Sequence, residues 1–118
     1  MPISFEDELQ HNAILRCLYE NSKVNAILIA DADGYILHVN EAFFLNYGYV
    51  TEDLRGKHGR VLFTNEDQKA LVPETEVETA NKQGFIRDRN YLVHRNGPPM
   101  WTDGESVLVK SDSGATYI

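Results

Sequence analysis

The chain has one cysteine among its 118 residues, so no internal disulfide is possible. Cys17 reads as a small apolar residue on a helix rather than a reactive thiol. No apolar run approaches the roughly 20 residues that span a bilayer. The start, Met-Pro-Ile-Ser-Phe-Glu-Asp-Glu, lacks the basic beginning and apolar centre of a secretion signal. These absences suit a reducing, cytoplasmic setting, and equally the cytoplasmic part of a membrane-bound receptor. Basic residues are scarce as well, 11 Lys and Arg against 18 Asp and Glu, for a net charge of −7. A nucleic-acid surface needs a basic patch to displace phosphate counterions, so no nucleic-acid partner is expected. Docking to anionic lipid is disfavoured for the same reason. The acidity reads as solubility.

Chemical motifs are equally sparse. There is no P-loop and no Gly-x-Gly-x-x-Gly to cradle a phosphate. His11, His38, His58 and His94 are scattered, and none is spaced with a carboxylate or Cys as metal ligands are, so no metal is expected. No Ser sits in a nucleophile elbow. Asp31 and Asp33 lie in a turn, where Asp is favoured for its bonds to its own backbone. Glu74, Glu76 and Glu78 stand near the positive start of a helix and read as a solvated face. No residue is assigned a catalytic role, and the chain is not expected to be an enzyme.

The stretch from Asn25 to Tyr49 is where local rules agree. Two short apolar runs flank Asp33-Gly34, a dipeptide that favours a tight hairpin because Gly accepts φ > 0. Asn40 follows as the N-cap of a short helix from Glu41 to about Asn46, which Gly48 ends in a left-handed cap. Upstream, residues 4 to 22 predict a helix. Ser4 with Asp7 has the form of a capping box, and Phe5, Leu9, Ile14, Leu15, Leu18 and Tyr19 recur at helical spacing. That stripe packs either on its own domain or on a second copy. Downstream, Thr51 to Leu54 predicts one capped turn, and Gly56 to Gly59 a loop that includes an exposed His58. Thr64 or Asn65 caps a turn at Glu66-Asp67, and a helix runs from Pro73 to Gln83 and stops at Gly84. Residues 86–95 and 100–110 predict two longer strands around an Asn96-Gly97 turn. Ala115 to Ile118 reads as the start of a fifth strand.

The ordered series resembles a PAS domain, a sensory module of signalling proteins. It comprises an apolar strand Ile27–Ile29, Asp31, Gly34, a second strand Ile36–Val39, Asn40 and Phe43. Gly48-Tyr49, Glu52-Asp53-Leu54, Gly56, Phe63-Thr64-x-Glu66-Asp67, His94-Arg95-Asn96-Gly97 and Met100-Trp101 continue it in order. Asn96 stands where the family usually has Asp, and Met100 where it has an aromatic. The family's closing Asp-Ile-Thr-like signature is absent, so the last strand is expected to be truncated.

The resemblance implies an α+β fold with a five-stranded antiparallel sheet of order 2-1-5-4-3. Helices lie on one face, residues 1–22 form a flanking helix and 23–118 the domain. It implies a cavity that Phe43, Tyr47, Leu54, Val61, Leu92 and Trp101 would face, or whose place these residues would fill as core. It also implies a homodimer through Phe5, Leu9 and Leu18. The family's flavin photosensors carry Gly-x-Asn-Cys-Arg-Phe-Leu-Gln. Here Gly59 replaces the Cys, and Leu92 and Thr102 replace the flavin-binding Asn residues, which disfavours a covalent flavin adduct. Some haem sensors of the family ligate iron through a His in the helix before the third strand, and Pro73–Gln83 has none. The cofactor is left unknown. The function implied is a sensory module that binds a small ligand or partner and signals to an output domain, a histidine kinase or diguanylate cyclase, outside this chain. Its alternatives are a ligand-free dimerisation module and a cofactor-bound photo- or gas sensor.

Overall fold

Asp31 organises the first hairpin. In the computed structural model, which describes Asp7, residues 12–110, Thr116 and Tyr117, the Asp31 carboxylate accepts from the N–H of Asp33 and of Tyr35, each at 3.0 Å. Strand β1 (Leu28–Ala30) pairs antiparallel with β2 (Ile36–Val39), with an irregularity between Ile29 and Ala30. Gly34 has φ 91°, and a Cβ there would lie 2.7 Å from His58 Nε2. His58, expected as an exposed loop residue, is half-buried and holds the turn. Its Nδ1 accepts from the Arg60 N–H at 3.0 Å, so Nε2 carries the proton and donates to the Asp33 carbonyl at 3.1 Å.

Asn40 joins three segments. Its Oδ1 accepts from the N–H of Phe43 at 3.0 Å, capping α2 (Glu41–Tyr47), and from the N–H of Ile27 at 2.9 Å. Its Nδ2 donates to the carbonyls of Tyr19, at the end of α1 (Ala13–Asn21), and Asn25, each at 2.9 Å. Gly48 ends α2 in the left-handed region, as its sequence position predicts. Thr51, buried at the start of α3 (Thr51–Leu54), accepts from the Val39 N–H and donates to the Val39 carbonyl. A 3-10 turn (Gly59–Leu62), α4 (Asn65–Lys69, capped by Thr64) and α5 (Val72–Gln83, ended by Gly84) follow. The core gathers Ile36, Val39, Phe43, Leu54 and Leu62, with Tyr47, Tyr49, Phe63 and Leu92 packed against it.

The long hairpin is β3 (Phe85–Val93) with β4 (Pro99–Val107), in unbroken antiparallel register from Phe85↔Val107 to Val93↔Pro99. Gly97, at φ 108°, makes the turn that Asn96-Gly97 predicts. A short pair, β5 (Val109–Lys110) with β6 (Thr116–Tyr117), completes the strands. Among the described residues, pairing is confined to these three two-stranded units, so the order 2-1-5-4-3 is not formed by the pairings present. Isolated bridges, Tyr35 with His58 and Phe63 with Leu92, link the hairpins to the intervening loop instead. The expected helix 4–22 is described from Ala13, and Phe5 and Leu9 lie outside the described residues.

Candidate functional site

Alternation along the long hairpin sorts its side chains onto two faces. Ile86, Asp88, Asn90 and Leu92 of β3 stand opposite Ser106, Gly104, Thr102 and Met100 of β4, and all are half-buried. The intervening residues form an exposed outer face. An inner face packed on helices is ordinarily apolar, because burial of unpaired polar groups is costly. Here its middle is polar.

Three contacts satisfy that middle. Asn90 Nδ2 donates to Glu76 Oε1 of α5 at 2.6 Å. The Ser106 hydroxyl donates to Asp88 Oδ2 at 2.9 Å. The hydroxyls of Tyr47 and Thr102 are hydrogen-bonded at 2.7 Å, which joins α2 to β4. Gly104 makes room for Asp88, since a Cβ at 104 would lie 3.3 Å from Asp88 Oδ1.

Glu76 and Asp88 have no ion pair among the described residues. Burial pushes the Glu76 carboxyl up to about 7, against the donation from Asn90 and with help from the charges of Asp88 and Asp67. Burial likewise raises Asp88 above the ordinary aspartate value, opposed by the Ser106 bond. The sequence reading of Glu74, Glu76 and Glu78 as one solvated face is therefore corrected at Glu76. A helix advances about 100° per residue, so position 76 lies on the side away from positions 74 and 78. Glu78 points to solvent and pairs with Lys82. Glu74 pairs with Arg60 at 3.0 Å, and that pairing pulls its carboxyl below the usual range although desolvation alone would raise it.

The six residues expected at a cavity separate. Phe43 and Leu54 are fully buried core, 4% and 2% exposed, and Tyr47 and Leu92 pack beside them. Val61 is 42% exposed on the 3-10 turn, so it does not face the interior. Trp101 is 59% exposed and edge-on to Tyr91, its cross-strand partner, on the outer face. Strand register decides this: Thr102 points inward, so Trp101 cannot. Its indole N–H thus needs no buried acceptor. The residues that pattern reading missed are Glu76, Asp88, Asn90 and Ser106. The alternating half-buried strand predicted from residues 86–95 could have placed Asp88 and Asn90 on one face with Leu92.

A separate open groove of about 680 Å³ runs between α1 and the first hairpin, lined by Cys17, Leu18, Tyr19, Ile27 and Ile29 among others. Within this lining the Tyr19 hydroxyl is hydrogen-bonded to His38 Nδ1 at 2.6 Å. Leu18 and Ile14 are 66% and 75% exposed. Among the described residues no group of His, Cys, Asp and Glu could hold a metal ion, and no helix is long and apolar enough to cross a membrane.

Comparison with known proteins places this geometry. The profile of the PAS domain family matches residues 24–118. Two-component system protein A of Emericella nidulans is 26% identical over 92 residues, which cover 78% of this chain. The chain spans only 14% of that relative's length. A domain of a sensory box sensor histidine kinase/response regulator from Geobacter sulfurreducens superposes with TM-score 0.74 at 19% identity, over 97% of this chain and 96% of that one. The PAS domain of a protein from Colwellia psychrerythraea superposes with TM-score 0.72 at 20% identity, over 94% and 92%. At these identities the two structures establish a shared fold.

Proposed function

The chain belongs to the PAS domain family, and from that premise we propose that it is a non-catalytic sensory module whose input acts between α5 and the inner face of the long hairpin. The observation that carries this reading is the pair of half-buried carboxylates, Glu76 and Asp88, which stand in the polar middle of that face with no ion pair among the described residues. Such groups are poised to respond to a hydrogen-bond donor or a proton, because either relieves a buried charge. The response would shift how α5 sits on β3, and so reach an output domain outside these residues. A histidine kinase or a diguanylate cyclase in a cytoplasmic signalling protein is the output that fits. Similarity to a two-component protein supports the former.

Native mass spectrometry of the purified domain tests the reading. Added mass that Glu76→Gln removes supports a small ligand at this seam. Added mass that this change leaves in place would refute the seam as the ligand site.

The second reading is a ligand-free pairing module. Phe43 and Leu54, expected at a cavity, are packed as core. Two copies would then meet through α1, where Ile14 and Leu18 are left uncovered. A clean dimer mass that Leu18→Glu reduces to the monomer favours this reading.

A further inference from the structure

Helix α1 is attached to the rest of the chain at few points. Among its described side chains only Tyr19 is buried. Its ring packs on the His38 imidazole of β2 with centroids 5.3 Å apart, and its hydroxyl meets His38 Nδ1 at 2.6 Å. The Tyr19 carbonyl accepts from Asn40, and just past the helix Lys23 pairs with Glu41. His38 is half-buried and stands opposite Ile29, a residue of the open groove. Tyr19 fixes the direction of the bond. Burial, aided by the charge of Glu20, holds its hydroxyl well above the ordinary tyrosine value, so it stays a neutral O–H that needs an acceptor. Were the imidazole to donate from Nδ1, that buried proton would lose its acceptor. His38 therefore accepts at Nδ1 and carries its own proton on Nε2.

We propose that Tyr19 and His38 form a pH-operated latch, which holds α1 on the first hairpin while His38 is neutral and frees it when His38 is protonated. An imidazolium bears an N–H on each nitrogen and has no lone pair to offer. Protonation therefore sets two donors face to face, and the buried hydroxyl must turn or leave. The docked helix thus favours neutral His38. Docking is fully present above the ordinary histidine value of ~6.5 and is lost as pH falls below it. Release parts the α1 wall of the groove, Cys17 and Leu18, from Ile27 and Ile29. Other charges stand on the elements around His38. Helix α1 carries Arg16 and Glu20; β1 has no titratable group, and Asp31 after it is bonded within its own turn. Helix α3 carries Glu52 and Asp53, followed by Arg55, which donates to the Leu37 carbonyl, and Lys57, whose carbonyl accepts from Ile36. The acids favour imidazolium and the bases oppose it. Glu20, Glu52, Arg55 and Lys57 are exposed, and Asp53 is paired with Arg95, so solvent and pairing screen them. The direct contact at 2.6 Å sets the sign.

The latch does not rest on the α5 seam, and the signs differ. Protonating Glu76 in acid favours the folded chain, whereas protonating His38 loosens it. His58 and His94 also accept backbone N–H groups at Nδ1, so acid loosens their turns too. Comparison with His38→Asn cancels those contributions, because the Asn oxygen can accept from Tyr19 and does not titrate. Hydrogen exchange over Ala13–Asn21, corrected for its intrinsic pH dependence, is measured in wild type and H38N at about pH 7.5 and about pH 5. From the higher pH to the lower, protection of α1 should fall about tenfold further in wild type than in H38N. Magnetic resonance titration of the His38 ring provides the second arm. Tyr19→Phe keeps the aromatic ring and removes the donor, so His38 should take up its proton about one pH unit higher in Y19F than in wild type. Circular dichroism checks that both variants fold. Protection of α1 that responds to pH alike in wild type and H38N, or a His38 midpoint that Y19F leaves in place, would overturn the latch.

Discussion

Glu76→Gln separates the charge of the α5 seam from its shape. Gln keeps the oxygen that accepts from Asn90 and cannot ionise. In the folded chain burial raises the Glu76 carboxyl from 4.5 to about 7. Below the unfolded value both states hold the proton, and the stabilisation is fully present. Between the two values only the folded state holds it, so stability falls as pH rises. Above about 7 the contribution is gone. Taken whole, such a shift is worth ~3 kcal/mol. The side chain is only half-buried, and solvent screening reduces this to ~1–2 kcal/mol. Asp88, also raised by burial, acts with the same sign. Glu74 and Asp103 are lowered by their arginines, so their contributions are lost only in acid below the ordinary carboxylate range. Urea denaturation at pH 5 to 8 therefore isolates the seam. The difference in stability between wild type and Glu76→Gln cancels the histidines common to both. Wild type should lose ~1–2 kcal/mol relative to the variant as pH rises, and the variant should be the more stable chain at pH 8. A difference independent of pH would refute the burial argument.

Three further substitutions test the first half of the fold. Asn40→Ala removes a helix cap and leaves the carbonyls of Tyr19 and Asn25 and the N–H of Ile27 without their partner. It should cost ~3 kcal/mol or more in chemical denaturation and speed hydrogen exchange in α1; a loss under ~1 kcal/mol would show that Asn40 is not the junction. Gly34→Ala places a methyl group against His58 and Val77 at a positive φ and should cost ~2–3 kcal/mol. Adding His58→Ala should not recover the φ penalty, and full recovery of the melting temperature would refute a backbone cause. Thr51→Val keeps the shape but strips both bonds to Val39, for ~1–2 kcal/mol in the same assay.

The first half of the fold was legible because its determinants are local. Asp31, Gly34, Asn40 and Gly48 each act on backbone within a few residues, and each does what its type does elsewhere. Asn40 also does more than a cap: it reaches Tyr19, 21 residues back, which no spacing rule announces. In the second half, both long strands were readable and their faces were not used. The family resemblance puts Trp101 at the cavity, although alternation with the half-buried Thr102 puts it outside. Glu76 departs from a solvated face because of a contact distant in sequence. Its neighbours Glu74 and Glu78 do meet solvent or an arginine, and only the arrival of Asn90 from β3 shows that the residue between them is half-buried. Sheet order lies furthest from the sequence, since it depends on which edges meet after the hairpins form.

The two halves are also held by different forces, and this bears on which part can respond to a stimulus. Helix α2 is fastened by apolar burial, with Ala42 and Phe43 almost wholly enclosed. Helix α5 buries Pro73 and Ala80, sets Val77 against the Gly34 turn, and adds polar tethers. These are Arg60 to Glu74, Asn90 to Glu76, and Asn81 Nδ2 to the Ala32 carbonyl at 2.8 Å. Polar tethers at half-exposed positions contribute ~1 kcal/mol each, whereas extracting a buried Phe costs ~3 kcal/mol or more. Leu71, just before α5, is held at φ 58°, which stores a further ~1–2 kcal/mol that opening would release. Protonating Glu76 or satisfying its oxygens changes the balance by ~1–2 kcal/mol, about a tenfold shift in the population of a docked α5. The same energy would leave α2 unmoved. Hydrogen exchange should therefore open α5 before α2, with the α5 rate rising between pH 6 and 8 beyond the intrinsic chemical increase. Equal protection of the two helices at every pH would place the responsive element elsewhere.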